Sequence, residues 1–274
     1  MKKEWTIVTG GGSGIGLKLV KKLLKEGRHV GLILRNAARK SELLDAEPGL
    51  SRYEKLDYFF ADLSVQIEIK AVAQEIINRW PKVDVLFNNA GVLLEKPAFS
   101  AQGNEMHYEV NTLAPFLLAS HLRPALAKSE TPLIVNTSTD GIHYIRKLDI
   151  PELINPKKFR KLFGPYMYSK LAQYLIMKDS TEDNGQSKVK YLFVSPGGNK
   201  TKLSTGKGMP GWMKLYVKLI YKSPSYGADL LWEAAFNEDI SFNSGSYIQK
   251  SKAIKIPLTL DPIKKLDLLK GVNI

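Results

Sequence analysis

The chain has 274 residues, 44% of them hydrophobic, and a formal charge of +13 from 40 basic and 27 acidic side chains. That length suits one α/β unit with a large sheet, and the apolar share is enough for a substantial core. There is no cysteine, which excludes disulfides, thiolate zinc sites and a cysteine nucleophile, and the four histidines lack metal-ligand spacing, so no metal site is expected.

Trp5–Thr9 (WTIVT) is short, apolar and β-branched, the composition of a buried strand. Ile15–Glu26 places Leu17, Leu19, Val20, Leu23 and Leu24 between lysines, which predicts a helix with one apolar face. Between them lies Thr9–Gly16, TGGGSGIG. Strand, glycine turn and helix form the unit in which a dinucleotide pyrophosphate can meet the free N–H groups of a helix start. The spacing of Gly10, Gly14 and Gly16 departs from the common G-x-G-x-x-G.

Strand-like and helix-like stretches then alternate to about residue 195. Strands are predicted at Val30–Leu34, Leu56–Ala61, Val83–Phe87, around Leu133–Val135 and at Val189–Val194. Helices are predicted over Val65–Trp80, a long region near Asn104–Leu126, and Tyr166–Lys178. The alternation predicts a single α/β domain over residues 1–274, a doubly wound parallel sheet with helices on both faces. In such sheets ligands bind beyond the C-terminal strand ends. The residues found there are Arg35-Asn36, Asp62-Leu63, Asn88-Asn89-Ala90-Gly91, Ser138-Thr139 and Pro196-Gly197-Gly198.

Together these pieces resemble the short-chain dehydrogenase/reductase family. The motifs are TGGGSGIG, Asp62-Leu63, NNAG at Asn88–Gly91, Asn111, YMYSK at Tyr166–Lys170, and Pro196-Gly197. Gln102–Leu118 is most similar to the retinol-dehydrogenase-type branch. The resemblance implies a Rossmann-type domain holding a nicotinamide dinucleotide. It assigns Thr9, Gly10, Ser13, Gly14, Ile15, Gly16, Arg35, Asn36, Asp62, Leu63, Asn89, Ala90, Gly91, Tyr166, Lys170, Pro196, Gly197 and Thr201 to the cofactor. It implies Asn111, a serine-type hydroxyl, Tyr166 and Lys170 as the catalytic set, with Asn111 at a helix kink that holds a proton-relay water.

The spacing of Tyr166 and Lys170 puts them on one helix face, a turn apart. An ordinary phenol titrates near 10, and a neighbouring ammonium is expected to lower that value toward the working range. Two departures from the family pattern stand out. Thr139 occupies the position of the orienting serine, and since successive strand residues face opposite sides, either Thr139 or Ser138 points into the site, with Thr139 favoured by register. Asn199 replaces the usual valine, and the sequence offers no account of it.

Arg35 stands where NAD-specific relatives carry an acid, with Arg39 and Lys40 close behind. A guanidinium suits a 2′-phosphate by charge and by its forked donors, so NADP is expected over NAD. A substrate lid is expected around residues 200–225. Within it, 209–222 (MPGWMKLYVKLIYK) carries a stripe of Lys214, Lys218 and Lys222, with apolar residues filling the rest. Such a helix covers an apolar pocket or touches a membrane surface, and both readings point to a lipophilic carbonyl or alcohol.

The dispersed lysines read as solvated helix faces, without the aromatic interleaving of a nucleic-acid surface. No signal peptide or membrane-spanning run is predicted, giving the expectation of a cytoplasmic protein with at most weak membrane-surface contact. The resemblance suggests a homo-oligomer. The function expected is an NADP-dependent carbonyl reductase or alcohol dehydrogenase with Tyr166 as general acid/base. A non-catalytic NADP-binding sensor, or a different reaction on the same fold, stays open.

Overall fold

The computed structural model describes residues 4–178, 188–269 and 272. Five apolar runs become central strands because their residues alternate between two covered faces. Ile7, Leu86, Ile134 and Phe193 enter one core, and Val8, Phe87, Val135 and Val194 enter the other. All are buried.

The elements follow in order as β1 (Trp5–Thr9), α1 (Gly14–Lys25), β2 (His29–Leu34), α2 (Ala37–Ala46), β3 (Leu56–Phe60), α3 (Gln66–Arg79) and β4 (Val85–Asn88). Next come α4 (Met106–Tyr108), a π-turn at Glu109–Leu113, α5 (Ala114–His121), α6 (Arg123–Leu126) and β5 (Leu133–Thr137). After α7 (Ile150–Ile154), a kinked turn (Leu162–Tyr166) leads into α8 (Met167–Met177) and β6 (Lys190–Ser195). The chain ends through α9 (Lys202–Thr205), α10 (Gly211–Ile220), α11 (Pro224–Phe236), β7 (Ser246–Gln249), β8 (Lys252–Ile254) and α12 (Pro262–Leu268).

The sheet order is β3-β2-β1-β4-β5-β6-β7-β8. Every pairing is parallel except β7 with β8, a short antiparallel return at the edge. This is the doubly wound sheet that the alternation predicted, extended by two strands that the sequence reading did not separate. Helices α1, α2 and α11 supply Leu19, Leu23, Leu43 and Leu231 to one face, and α3, α5 and α8 supply Ile69, Ile76, Leu117, Leu171 and Leu175 to the other.

Strand order reverses between β1 and β4, which opens a crevice at their C-terminal ends. Thr9 closes its floor. Its hydroxyl donates to Phe87 O (3.3 Å) and accepts from the backbone N–H groups of Asn89 and Ala90, both at 3.0 Å.

Candidate active site

A cleft of about 1520 Å³ runs along the C-terminal strand edge from the glycine turn to the segment around α9 and α10. At one end Gly10 and Gly14 have φ of 66° and 56°, which favours glycine. Gly16 answers a second constraint. A Cβ there would lie 2.4 Å from Gly10 O and 2.5 Å from Asn89 Nδ2. At Gly10 and Gly16 the turn therefore packs too closely for a side chain. Asn89 holds it from the opposite strand, donating to Thr9 O (3.2 Å) and Gly10 O (3.3 Å).

Gly10, Ser13, Gly14, Ile15, Gly16, Arg35, Asp62, Leu63, Asn89, Ala90, Gly91, Pro196, Gly197 and Thr201 all line the cleft. Three expected site residues do not line it and serve as supports. Thr9 is 2% exposed and ties β1 to β4. Asn36 caps α2, its side chain accepting from Arg39 N at 3.0 Å. Asn111 is buried in the π-turn, where it accepts from Val92 N (2.8 Å) and donates to Val92 O (3.1 Å) and Ser169 Oγ (3.0 Å). Its amide is thus engaged in holding the backbone beside Gly91 and the start of α8.

Charges meet at the end of β2. Arg35, 64% exposed at its side chain, lies 3.3 Å from Asp62. Burial opposes ionisation of Asp62, yet hydrogen bonds from Ser64 and the Arg35 charge hold its carboxyl below the usual range. Arg39 lines the same end of the cleft and pairs with Glu42.

The central part holds the proposed chemical groups. Tyr166 ends the kinked Leu162–Tyr166 turn and is 7% exposed. Thr139 lines the cleft too, and its hydroxyl favours ionisation of the phenol by hydrogen bonding. Ser138 also lines the cleft, and its hydroxyl is buried without a protein partner among the described residues. Lys170 donates from Nζ to Thr137 O at 2.8 Å.

The expected lowering of the Tyr166 pKa is not what this arrangement produces. Burial, aided by the nearby Tyr221, pushes the phenol up to about 12, while the Thr139 hydrogen bond works the other way. Burial also depresses Lys170 to about 8. Desolvation dominates both shifts, and the Lys170 amine donates to a backbone carbonyl.

Asn199 now has a physical account. It is 4% exposed, donates to Pro196 O (2.7 Å) and Gly197 O (3.1 Å), and accepts from Gly227 N (3.0 Å). A valine could do none of this. The asparagine pins the Pro196–Gly198 turn to the first turn of α11. Thr201 caps α9 in a reciprocal capping box with Ser204.

The comparisons place this geometry. Residues 4–145 match the profile of the short chain dehydrogenase family. Retinol dehydrogenase 11 of Mus musculus is 31% identical over 242 residues, covering 88% of this chain and 76% of that protein. This chain belongs to the short-chain dehydrogenase family. It is an oxidoreductase of the retinol-dehydrogenase-like branch, since human retinol dehydrogenase 14 also matches at 28% identity over 92% of the chain. Human polyprenol dehydrogenase is 27% identical, covering 91% of this chain and 77% of that protein. Among solved structures, NADPH-bound carbonyl reductase from chicken fatty liver superposes with a TM-score of 0.68 at 19% identity, covering 93% of this chain and 99% of that one. That likeness concerns the fold.

Three residues in or beside the cleft escaped the sequence reading. Tyr221 lines the cleft and its ring lies over Gly198, where a Cβ would be 2.6 Å away. Asp140 follows Thr139 directly and accepts from Ser195 Oγ. His107, fully buried, sits edge-on to Tyr166 at 6.3 Å and pairs with Glu105 at 2.7 Å. The position of Asp140 after the β5 strand end was a usable signal. Contacts of Tyr221 and His107 depend on loops that converge only in three dimensions.

Proposed function

We propose that this oxidoreductase is an NADP-dependent carbonyl reductase acting on a lipophilic substrate, with Tyr166 as general acid/base. The observation carrying the reading is one cleft that begins at a close-packed glycine turn and is lined further along by Thr139, Tyr166 and Lys170. A dinucleotide suits that turn, where a side chain is excluded at Gly10 and Gly16 and the loop lines the cleft beside the start of α1. Gly10, Ser13, Gly14, Ile15 and Gly16 would hold its pyrophosphate, and Asn89, Ala90, Gly91, Lys170 and Thr201 its nicotinamide half. When bound, that cofactor supplies the hydride that reduces a carbonyl carbon.

The chain itself handles the oxygen and its proton. Thr139 orients the substrate oxygen by hydrogen bonding. Tyr166 protonates it, and burial holds the phenol in the protonated form that can donate. Lys170 holds the end of β5 through Thr137 O and contributes its amine to the same buried site. Met167, Met209, Met213 and Tyr216 line the far part of the cleft and favour an apolar substrate body. Arg35 and Arg39 at the end of β2 support preference for a 2′-phosphate.

The retinol dehydrogenases and polyprenol dehydrogenase among the relatives are named for lipophilic alcohols, in keeping with this substrate class. The Asn199 departure no longer favours a non-catalytic sensor, because its side chain serves as a structural pin. NADPH consumption over a panel of lipophilic aldehydes and ketones tests the proposal. Turnover is expected to fall by about 10²-fold or more in Tyr166→Phe, within the range for losing a general acid. Unchanged turnover would remove Tyr166 from the chemistry, and tight NADPH binding with no turnover of any carbonyl would favour the sensor.

A further inference from the structure

Helix α10 faces the wrong way for a simple lid. A helix that only covers an apolar pocket turns its greasy side inward. Here Val217 is the buried residue of α10, at 1% exposure, whereas Trp212, Leu215 and Leu219 are 73%, 64% and 69% exposed. On a helix of 3.6 residues per turn these three share the side opposite Val217. Tyr216 and Ile220 flank them on one side, and Lys214 and Lys218 on the other. Phe163, itself exposed, stacks parallel on Trp212 at 6.3 Å and extends the patch toward the cleft. Met213 and Tyr216 of the same helix line the cleft, so the exposed apolar surface borders its mouth.

Charge selects the occupant. Between Asp183 and Asp229 the sequence has no acidic residue, while Lys200, Lys202, Lys207, Lys214, Lys218 and Lys222 lie in that interval. A second copy docked helix to helix would bring two Lys214 and Lys218 flanks together with no acidic residue on α10 to offset them. An anionic surface meets both features. Aromatic and aliphatic side chains enter the acyl boundary while lysines reach the headgroups.

We infer that the outward face of α10, built from Trp212, Leu215 and Leu219 and flanked by Lys214 and Lys218, docks on an anionic lipid bilayer. The mouth of the cleft then opens beside the acyl region, and substrate enters from the membrane. The delivery step rests on the proposed carbonyl reductase reading. Docking does not, and it is measured without turnover.

The test is flotation of the full chain with vesicles of phosphatidylcholine alone and of phosphatidylcholine with phosphatidylserine. The wild type is expected to float with the mixed vesicles and more weakly with neutral ones. Leu215→Glu/Leu219→Glu, at exposed positions outside the cleft lining, is expected to lose partitioning to both by at least about tenfold. Lys214→Glu/Lys218→Glu is expected to lose the phosphatidylserine-dependent part, with each lysine near the surface contributing roughly fivefold. In parallel, Leu215→Glu/Leu219→Glu should retain reduction of a short, water-soluble aldehyde and lose rate on a long-chain aldehyde presented in mixed vesicles. A wild type that stays with the buffer fraction would overturn docking, as would a leucine variant that floats like the wild type. A wild-type dimer that sediments as monomer after the leucine substitutions would assign the patch to a second copy and overturn it too. No turnover of either aldehyde, with flotation as expected, would remove the reductase reading and leave docking standing.

Discussion

Lys170 and Tyr166 show how burial can reverse a pairwise argument. Spacing alone put an ammonium a helical turn from a phenol, and attraction would favour both charged forms. In the fold Lys170 sits at 4% exposure with its amine on Thr137 O, and its pKa falls to about 8. The unfolded chain therefore binds more protons at this residue between pH 8 and the ordinary lysine value near 10.5. Its burial penalty is full below pH 8 and is relieved as pH rises through that window. Lys170→Met is expected to abolish this gain, so urea denaturation from pH 8 to about 10 should show the wild type rising in stability relative to the variant. Parallel profiles would refute it. Asn199 makes the opposite kind of case, a polar residue whose burial is satisfied. Asn199→Val leaves the Gly227 N–H without that partner and releases the Pro196–Gly198 turn, and a loss of roughly 1–3 kcal/mol is expected by chemical denaturation. An unchanged midpoint at unchanged slope would mean the pin is redundant.

At the level of elements, β2, β1, β4, β5 and β6 were legible because a two-sided buried strand must be a short apolar run. Ser246–Gln249 was not, since only Tyr247 and Ile248 at its centre are buried. The long helix expected near residues 104–126 is interrupted by the Glu109–Leu113 π-turn and by Leu122 between α5 and α6. A π-turn has no compositional mark, so the bulge around Asn111 could come only from the family resemblance. For α10 the period revealed a broad apolar surface but not which side met the protein. At the end of β2 the sequence shows Arg35 where an acid would suit NAD. Its pairing with Asp62 was not legible, as the two are joined by the β2–β3 register. Arg35→Asp puts a carboxylate beside Asp62 and removes the guanidinium. Fluorescence titration is expected to show weaker NADPH binding and a preference moved toward NADH. A variant that still prefers NADPH would shift phosphate recognition away from Arg35.

Across the whole molecule, the cleft joins two halves of one sheet. The glycine turn follows β1, Asn89–Gly91 follows β4, and Thr9 and Asn89 already bridge them across the strand-order reversal. Apolar cores on both faces run through β1 and β4, so loosening this junction disturbs both together. A dinucleotide spanning the junction should therefore stabilise the chain as one unit rather than one end of it. Ligand at about 100 times its Kd adds about 2.7 kcal/mol to the native state. For chains of about 150–250 residues, each kcal/mol moves Tm by about 2–4 °C, which gives a shift of roughly 5–10 °C. NADPH is expected to produce that shift in a single transition, with NADH at the same concentration producing less. Because no substrate is needed, this separates cofactor recognition from catalysis. Two resolved transitions, with NADPH moving only one, would show that the sheet halves unfold independently and that the junction does not couple them.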